Sequence, residues 1–410
     1  MIRMARTLLA LLACTPFADA QGKNVLFYGN SYTYYVWGYG VPEVVELLAI
    51  EAGHPAPTIE SSLTGGGTLP CYASDPQQIA AISNLLPAGQ QWDAVVMQGH
   101  ALGATNGVGF NVNDFLAGAQ GIMTNVRAHS PTAKAVMYQT WASAWGQMYY
   151  PVPWPTPMDM HDEIRGNYRL AVDNLNNAFG VGSAANAAAG DAVALLEWDP
   201  MWYEADLFHP SPSMILLAAM CIYTTIYQEP VCGIEPTFDP PGPLAAALLA
   251  QGVDQADWDL LSGLADRSAD PSLRAYPGSG DHLLLETRAG AGAPSACYQN
   301  AITTGTLVQL RLRSINGVFD SAPAWVLLDV FPTGSPTGPA ALYPELQSPL
   351  GAASVLLSAP DLSAPIALSL PMPVTLPGFS LRLQGIVQQP STETGNTLFT
   401  TTDAHELVFF

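Results

Sequence analysis

Asn24-Val25-Leu26-Phe27-Tyr28-Gly29-Asn30-Ser31-Tyr32-Thr33 is the stretch on which the fold turns. From Asn24 to Tyr28 the apolar residues run on without alternating, as in a strand covered on both faces within a parallel sheet. Gly-Asn-Ser then falls at the carboxyl end of that strand, the edge where open α/β sheets hold their ligands. Ala94–Gln98 and Ala135–Gln139 repeat the continuous pattern and read as two more buried strands. Helical segments lie between and after them. Pro42–Ala52 has proline near the first helical position and Gly53 as its stop, and Asp114–Ala128 and Glu163–Phe179 carry apolar residues at helical spacing. Met214–Tyr227 is almost wholly apolar and is expected to pack inside the domain. This alternation predicts an α/β domain with a mainly parallel sheet.

The character of the chain changes further on. Thr237–Pro243 is rich in proline, Leu244–Asp266 returns to helical spacing, and Asp270–Gly280 is a Pro/Gly/Ser stretch of linker type. Beyond it, Leu283–Thr287, Thr306–Arg313, Ala324–Phe331, Ala353–Leu357, Pro365–Leu370, Phe379–Val387 and Glu406–Phe409 are short segments divided by Gly, Pro and Ser clusters. That spacing is the signal for an all-β sandwich. The expected organisation is an α/β domain over 21–268, a linker over 269–280 and a β-sandwich-like accessory domain over 281–410, with no internal repeat of fixed period.

Composition narrows the partners. The 410 residues carry 13 Lys+Arg against 34 Asp+Glu, a formal charge of −21. Nucleic acid and anionic membranes are therefore poor partners, and neutral ligands are favoured. The first residues hold Arg3 and Arg6, an apolar run from Thr7 to Ala13, and the small-x-small sequence Ala18-Asp19-Ala20, which is the pattern of a cleaved signal peptide over 1–20. Leu11-Leu12-Ala13-Cys14 loosely matches a lipoprotein cleavage box, a less favoured form of the same export reading. The longest later apolar run, Met214–Tyr223, has about half the ~20 residues that a transmembrane helix needs. Four cysteines follow the signal segment, namely Cys71, Cys221, Cys232 and Cys297, an even number that suits an oxidising compartment. The preferred bridge is Cys221–Cys232, with four free thiols as the alternative.

A serine hydroxyl is a weak nucleophile and needs a base within hydrogen-bond reach, itself oriented by an acid. Asp206-Leu207-Phe208-His209 supplies both groups, because three residues on a turn let the carboxylate fold back onto one ring nitrogen and leave the other for the serine. Gly65-Gly66-Gly67 lies between Ser31 and this pair in the sequence.

This ordered set, with Ser31 opening the domain and Asp206-x-x-His209 closing it, resembles the SGNH hydrolase superfamily, the GDSL-like esterases. Gly29-Asn30-Ser31 stands where that family usually has Gly-Asp-Ser. The resemblance covers about residues 23–230 and implies a three-layer α/β/α domain there. It implies Ser31 as nucleophile, His209 as general base and then acid, Asp206 as the residue orienting it, and the N–H groups of Ser31 and Gly66 as oxyanion donors. The family's third block, Gly-x-Asn-Asp, is missing: after the strand ending at Met97 the chain reads Gln98-Gly99-His100-Ala101-Leu102. Gln98, or failing it Asn106, is the expected replacement donor.

Asn30, Tyr32, Trp37, His100 and Trp141 are expected to line the substrate site, with further aromatic residues after each strand offering surfaces for sugar rings or acyl chains. His161-Asp162-Glu163 is read as acidic residues at a helix start favoured by the helix dipole and not as a metal site. No metal or cofactor is expected. The activity expected is that of a secreted serine esterase acting on short acyl esters, such as acetyl groups on carbohydrate. A lipase for longer chains and a non-catalytic glycan- or cell-surface-binding protein are the alternatives. A truncation ending near Gly280 is expected to keep its activity on a small ester.

Overall fold

The computed structural model describes residues 22–34, 38–280, 282–334, 354–372 and 377–410. The expected signal peptide over 1–20 lies outside the described residues.

The first half alternates strands and helices: β1 (Asn24–Gly29), α1 (Val41–Glu51), β2 (Thr58–Leu63), α2 (Leu69–Ser74), α3 (Pro76–Asn84), β3 (Ala94–Met97), α4 (Val112–His129), β4 (Lys134–Tyr138), α5 (Pro157–Phe179), β5 (Ala184–Ala187), α6 (Ala189–Ala194) and α7 (Pro212–Tyr227). All five strands are parallel and stand in the order β2-β1-β3-β4-β5. Helix α1 packs on α7, while α2, α3 and α5 pack on α4, so helices cover both faces of the sheet. The sheet is buried because its central strands offer no polar face; every residue of β1 and β3 is buried. This order places a topological switch between β1 and β3, where chain connections leave in opposite directions and open a crevice at the carboxyl ends of the strands.

Two strands of this sheet escaped the sequence reading for a common reason. β2 is Thr-Ile-Glu-Ser-Ser-Leu, half-exposed at the sheet edge, and β5 is Ala-Ala-Asn-Ala at the opposite edge. Neither carries the apolar run of a central strand. The expected helix over 244–266 is two helices, α8 (Pro243–Leu249) and α9 (Gln255–Ser268). Gly252, with φ of +80°, turns the chain between them, and Asp254 and Asp257 close a reciprocal cap at the start of α9.

The second half is a β module of β6 (Leu283–Ala289), β7 (Gln299–Ile302), β8 (Leu307–Ser314), β9 (Ala324–Phe331), β10 (Ser354–Ala359), β11 (Ile366–Pro371), β12 (Ser380–Val387) and β13 (Thr400–Phe409). Sheet β11-β8-β6 faces sheet β10-β9-β12-β13-β7 across a core that includes Leu283, Leu310, Val326, Leu383 and Leu407. It is a sandwich, antiparallel except for the β13–β7 pair.

The boundary between the halves differs from the expectation of a free linker. Residues 269–280 are pinned along β13: Gly278 N donates to Asp403 Oδ1 at 2.6 Å, Ser279 N to Thr401 O at 3.1 Å, and Ala404 N to Tyr276 O at 2.9 Å. Leu284, Ala296 and Ile315 of the β module belong to the core of the α/β domain. Gly263 of α9 lies so close to the β module that a Cβ there would meet Ala296 N at 2.7 Å.

The disulfide also crosses this boundary. It joins Cys232 to Cys297, in place of the expected Cys221–Cys232 pair. Cys221 sits on α7 inside the first core and remains a buried thiol. Cys232 is drawn toward α9 instead, because Asp266 accepts the N–H groups of Val231 at 2.7 Å and Cys232 at 2.9 Å.

Burial pushes the Asp266 carboxyl up to about 7, against the lowering effect of those two N–H groups and of Arg274. A carboxyl raised on folding stabilises the fold fully at acid pH and loses that contribution as pH rises from the unfolded value to the folded one. Between pH 4.5 and 7 the wild-type protein should therefore lose about 3 kcal/mol relative to Asp266→Asn. Denaturant titrations of both proteins at the two pH values check this; pH profiles that run parallel would contradict it.

Candidate active site

Strand β1 ends at Gly29, and Thr33 N donates to Asn30 O at 2.8 Å to close a tight turn that presents Ser31 at the top of the sheet. Gly29 is required there, since a Cβ would lie 2.1 Å from Thr33 Oγ1. The partner groups arrive on the segment before α7, which Tyr203 and Pro210 pair into a narrow loop. Leu207, inside that loop, has φ of +66°, a left-handed conformation that a side chain adopts at a cost and that surrounding contacts must hold. They do so from one side: Ala144 N donates to Leu207 O at 2.8 Å, and Gln147 Nε2 to Asp206 O at 2.8 Å.

With the loop so held, His209 Nε2 lies 2.8 Å from Ser31 Oγ and His209 Nδ1 lies 2.6 Å from Asp206 Oδ2. Hydroxyl, imidazole and carboxylate form one continuous hydrogen-bond chain. The second carboxylate oxygen of Asp206 accepts the N–H groups of Phe208 at 3.1 Å and His209 at 2.9 Å. Partial burial would raise the Asp206 carboxyl, but the His209 ring and these N–H groups outweigh it and hold it below the usual carboxylate value. An ionised carboxylate on Nδ1 fixes the ring orientation and the tautomer that leaves Nε2 free to take the serine proton.

No protein-family model matches the chain, and no curated protein does. Solved structures similar to it include hydrolases of the SGNH and GDSL-like kind. A DUF4886 family protein from Bacteroides uniformis is 16% identical with a TM-score of 0.42, over 56% of this chain and 93% of that one. A candidate SGNH hydrolase from Slackia heliotrinireducens is 21% identical with a TM-score of 0.39, over 50% of this chain and 100% of that one. A carbohydrate esterase family 3 protein from Talaromyces cellulolyticus is 16% identical with a TM-score of 0.36, over 50% of this chain and 97% of that one.

Around the three central residues, the other expected site residues divide. Gly66 lies in the turn after β2 with φ of +67°, and among the described residues neither its N–H nor that of Ser31 has a hydrogen-bond partner. Asn30 was expected to meet substrate; it is fully buried and acts as a clamp instead. Its Nδ2 donates to Gly67 O at 2.9 Å and its Oδ1 accepts from Tyr32 N at 3.1 Å, tying the serine turn to the glycine loop. Tyr72 O–H reinforces the same junction by donating to Gly29 O at 2.5 Å.

Gln98 is not placed as an oxyanion donor. Its Oε1 accepts from Asn30 N at 2.8 Å and from Thr33 Oγ1 at 2.9 Å, and its Nε2 donates to Gly99 O. The side chain is fully buried and its amide is consumed in bracing β1 against β3. Asn106, the second candidate, donates its N–H to Glu163 Oε1 at 2.7 Å and accepts from Val112 N at 3.2 Å. Glu163 also accepts from Trp154 Nε1 at 2.7 Å, so it links the loops after β3 and β4. It stands in the second turn of α5, which begins at Pro157 on a Thr156–Asp159 capping box.

Tyr32 and Trp141 are likewise buried, not open to substrate. Their rings pack 5.1 Å apart, Tyr32 lies 5.6 Å from the His209 ring, and Trp141 Nε1 donates to Phe208 O at 3.3 Å, so both back the histidine. Trp37 lies outside the described residues. His100 does face open space: with Thr68, Leu69, Gly99, Phe110 and Phe115 it lines a cavity of about 270 Å³. Trp145 is half exposed and Met148 is 81% exposed, both on the loop that carries Gln147, which holds the Asp206 loop. The sequence signalled neither Tyr72 nor Gln147, because their roles depend only on which loops meet in space.

Proposed function

We propose that the protein is a serine esterase that hydrolyses carboxylic esters through an acyl-Ser31 intermediate. The observation that carries this reading is the unbroken Ser31–His209–Asp206 hydrogen-bond chain at the carboxyl edge of the sheet. Ser31 Oγ attacks the ester carbonyl as its proton passes to His209 Nε2. The imidazolium then returns that proton to the leaving alcohol, and water repeats the sequence to free the acid. The N–H groups of Ser31 and Gly66 receive the oxyanion.

In this reading the acyl group is short, such as acetyl, and of a size that the small cavity lined by His100, Leu69, Phe110 and Phe115 could take. The half-exposed indole of Trp145, on the loop that holds Asp206, favours a sugar as the alcohol part, because an indole face stacks on a pyranose ring. Acetylated carbohydrate is thus the substrate class of this reading. Export by cleavage of residues 1–20 belongs to the same proposal, and the Cys232–Cys297 bridge supports it because such bonds persist in oxidising compartments. The β module serves to complete and lock the α/β domain.

Release of acetate from acetylated xylan and hydrolysis of p-nitrophenyl esters of increasing chain length test the substrate class. The acetate ester should be turned over with a kcat/KM at least about tenfold above that of the octanoate ester, the difference of one binding step of ~1.4 kcal/mol. A preference for octanoate would move the reading to a lipase.

A further inference from the structure

The missing third block leaves a gap in the oxyanion site: Gln98 braces β1 against β3, and Asn106 is held in the loop after β3 through its backbone N–H on Glu163 and its Oδ1 on Val112 N. Asn30, the next amide in reach, has both of its polar atoms engaged in the clamp to Gly67 and Tyr32. His100 is the polar side chain nearest in sequence to this strand end after Gln98. His100 follows Gln98 by two residues and caps the short 3₁₀ turn Ala101–Ala104. Its ring stacks on Phe110 with centroids 4.9 Å apart and an interplanar angle of 13°, which fixes its plane. Its Nδ1 accepts the N–H of Leu102 at 3.2 Å. A nitrogen that accepts carries no proton, so the ring hydrogen resides on Nε2 and that atom is a donor.

Two further observations bear on this donor. The ring lines the same cavity as Thr68, the residue that follows the glycine loop, and Gly99, to which Gln98 donates. Burial first, and the charge of nearby His209 second, hold His100 below the ordinary histidine value, so it stays neutral while His209 works. A neutral imidazole can donate a hydrogen bond to a carbonyl oxygen without giving up its proton.

We propose that His100, through Nε2–H, is the third oxyanion donor of this enzyme, standing in for the absent asparagine. The inference rests on the esterase reading above. In the step concerned, the bond from Ser31 Oγ to the carbonyl carbon forms, the C=O π pair moves onto oxygen, and the serine proton goes to His209. His100 keeps its proton throughout and only strengthens its hydrogen bond as charge develops, which is the condition for lowering a barrier rather than tightening ground-state binding.

The test compares His100→Phe, which keeps a ring to stack on Phe110 but has no N–H, with His100→Asn, which restores a donor. For p-nitrophenyl acetate, His100→Phe should lower kcat by about 10²-fold with KM changed less than about threefold, the signature of a contact made in the transition state. His100→Asn should recover at least about tenfold of that loss. Affinity for phenylboronic acid, which forms a tetrahedral adduct on the serine, should fall in His100→Phe by a factor similar to kcat.

Wild-type kcat in His100→Phe would overturn the proposal, as would a loss of kcat with unchanged boronate affinity. If His100→Phe unfolds, His100→Asn and His100→Ala, matched in circular dichroism to the wild type, decide by the same two ratios. Fluorophosphonate labelling of Ser31 in the wild type keeps the issues apart: its failure removes the esterase reading itself, whereas its success with an unaffected His100→Phe removes only this donor.

Discussion

Ser31→Ala and His209→Ala should each lower kcat for p-nitrophenyl acetate to background, by about 10⁵–10⁶-fold, with the fold unchanged in circular dichroism. The expectation follows from the geometry: the hydroxyl at 2.8 Å and the carboxylate at 2.6 Å engage opposite nitrogens of one ring. No other base contacts Ser31 Oγ among the described residues. Because the three act as a unit, the double variant should be no worse than either single one. Asp206→Asn should cost less, about 10⁴-fold, because it keeps the loop hydrogen bonds but presents the wrong partner to His209 Nδ1. Steady-state kinetics on the three variants checks the ordering. Equal, mild losses across all three would show that the chain of hydrogen bonds is structural.

The second large effect concerns the β module. A chain truncated after Gly280 should fail to fold, contrary to what the sequence alone leads one to expect. The cut removes Leu284, Ala296 and Ile315 from the first core and leaves Cys232 without its partner. It also strips Asp403 from Arg274, whose guanidinium is 5% exposed and bonded to both carboxylate oxygens at 2.7 Å. Asp403 itself is buried, and although burial would raise it, Arg274 and Arg267 hold it below the usual carboxylate value. Loss of a native disulfide costs about 2–5 kcal/mol, and breaking a buried ion pair by removing one partner costs about 3–5 kcal/mol. Against a total stability of about 5–15 kcal/mol, these and the uncovered apolar surface suffice to unfold the domain. Expression of residues 21–280 followed by thermal denaturation checks it. A cooperative transition near that of the full chain would show the two halves to be independent.

The sequence was most informative where chemistry and burial coincide locally. The central strands β1, β3 and β4 announce themselves because a strand covered on both faces has no polar alternation to hide. Ser31, Asp206 and His209 are legible because Ser31 follows the first of those strands and the other two sit three residues apart on one turn. The edge strands β2 and β5 are polar or alanine-rich and carry no such mark. Tertiary contacts were out of reach for the same reason. Gln98, Asn30, Tyr32 and Trp141 all lie near the reacting serine, but they face inward, and their work is to hold Ser31, the glycine loop and His209 in register. Proximity in sequence to a strand end does not say which way a side chain points. The disulfide joins cysteines 65 residues apart and depends on α9 meeting the β module.

The most direct test of the account is the site of covalent capture by a fluorophosphonate. Intact-mass analysis of the full chain should show one adduct, and peptide mapping should place it on Ser31, with none formed in Ser31→Ala. An unmodified Ser31 in protein that is folded and fully exposed to the reagent, or an adduct carried by another residue, would contradict it.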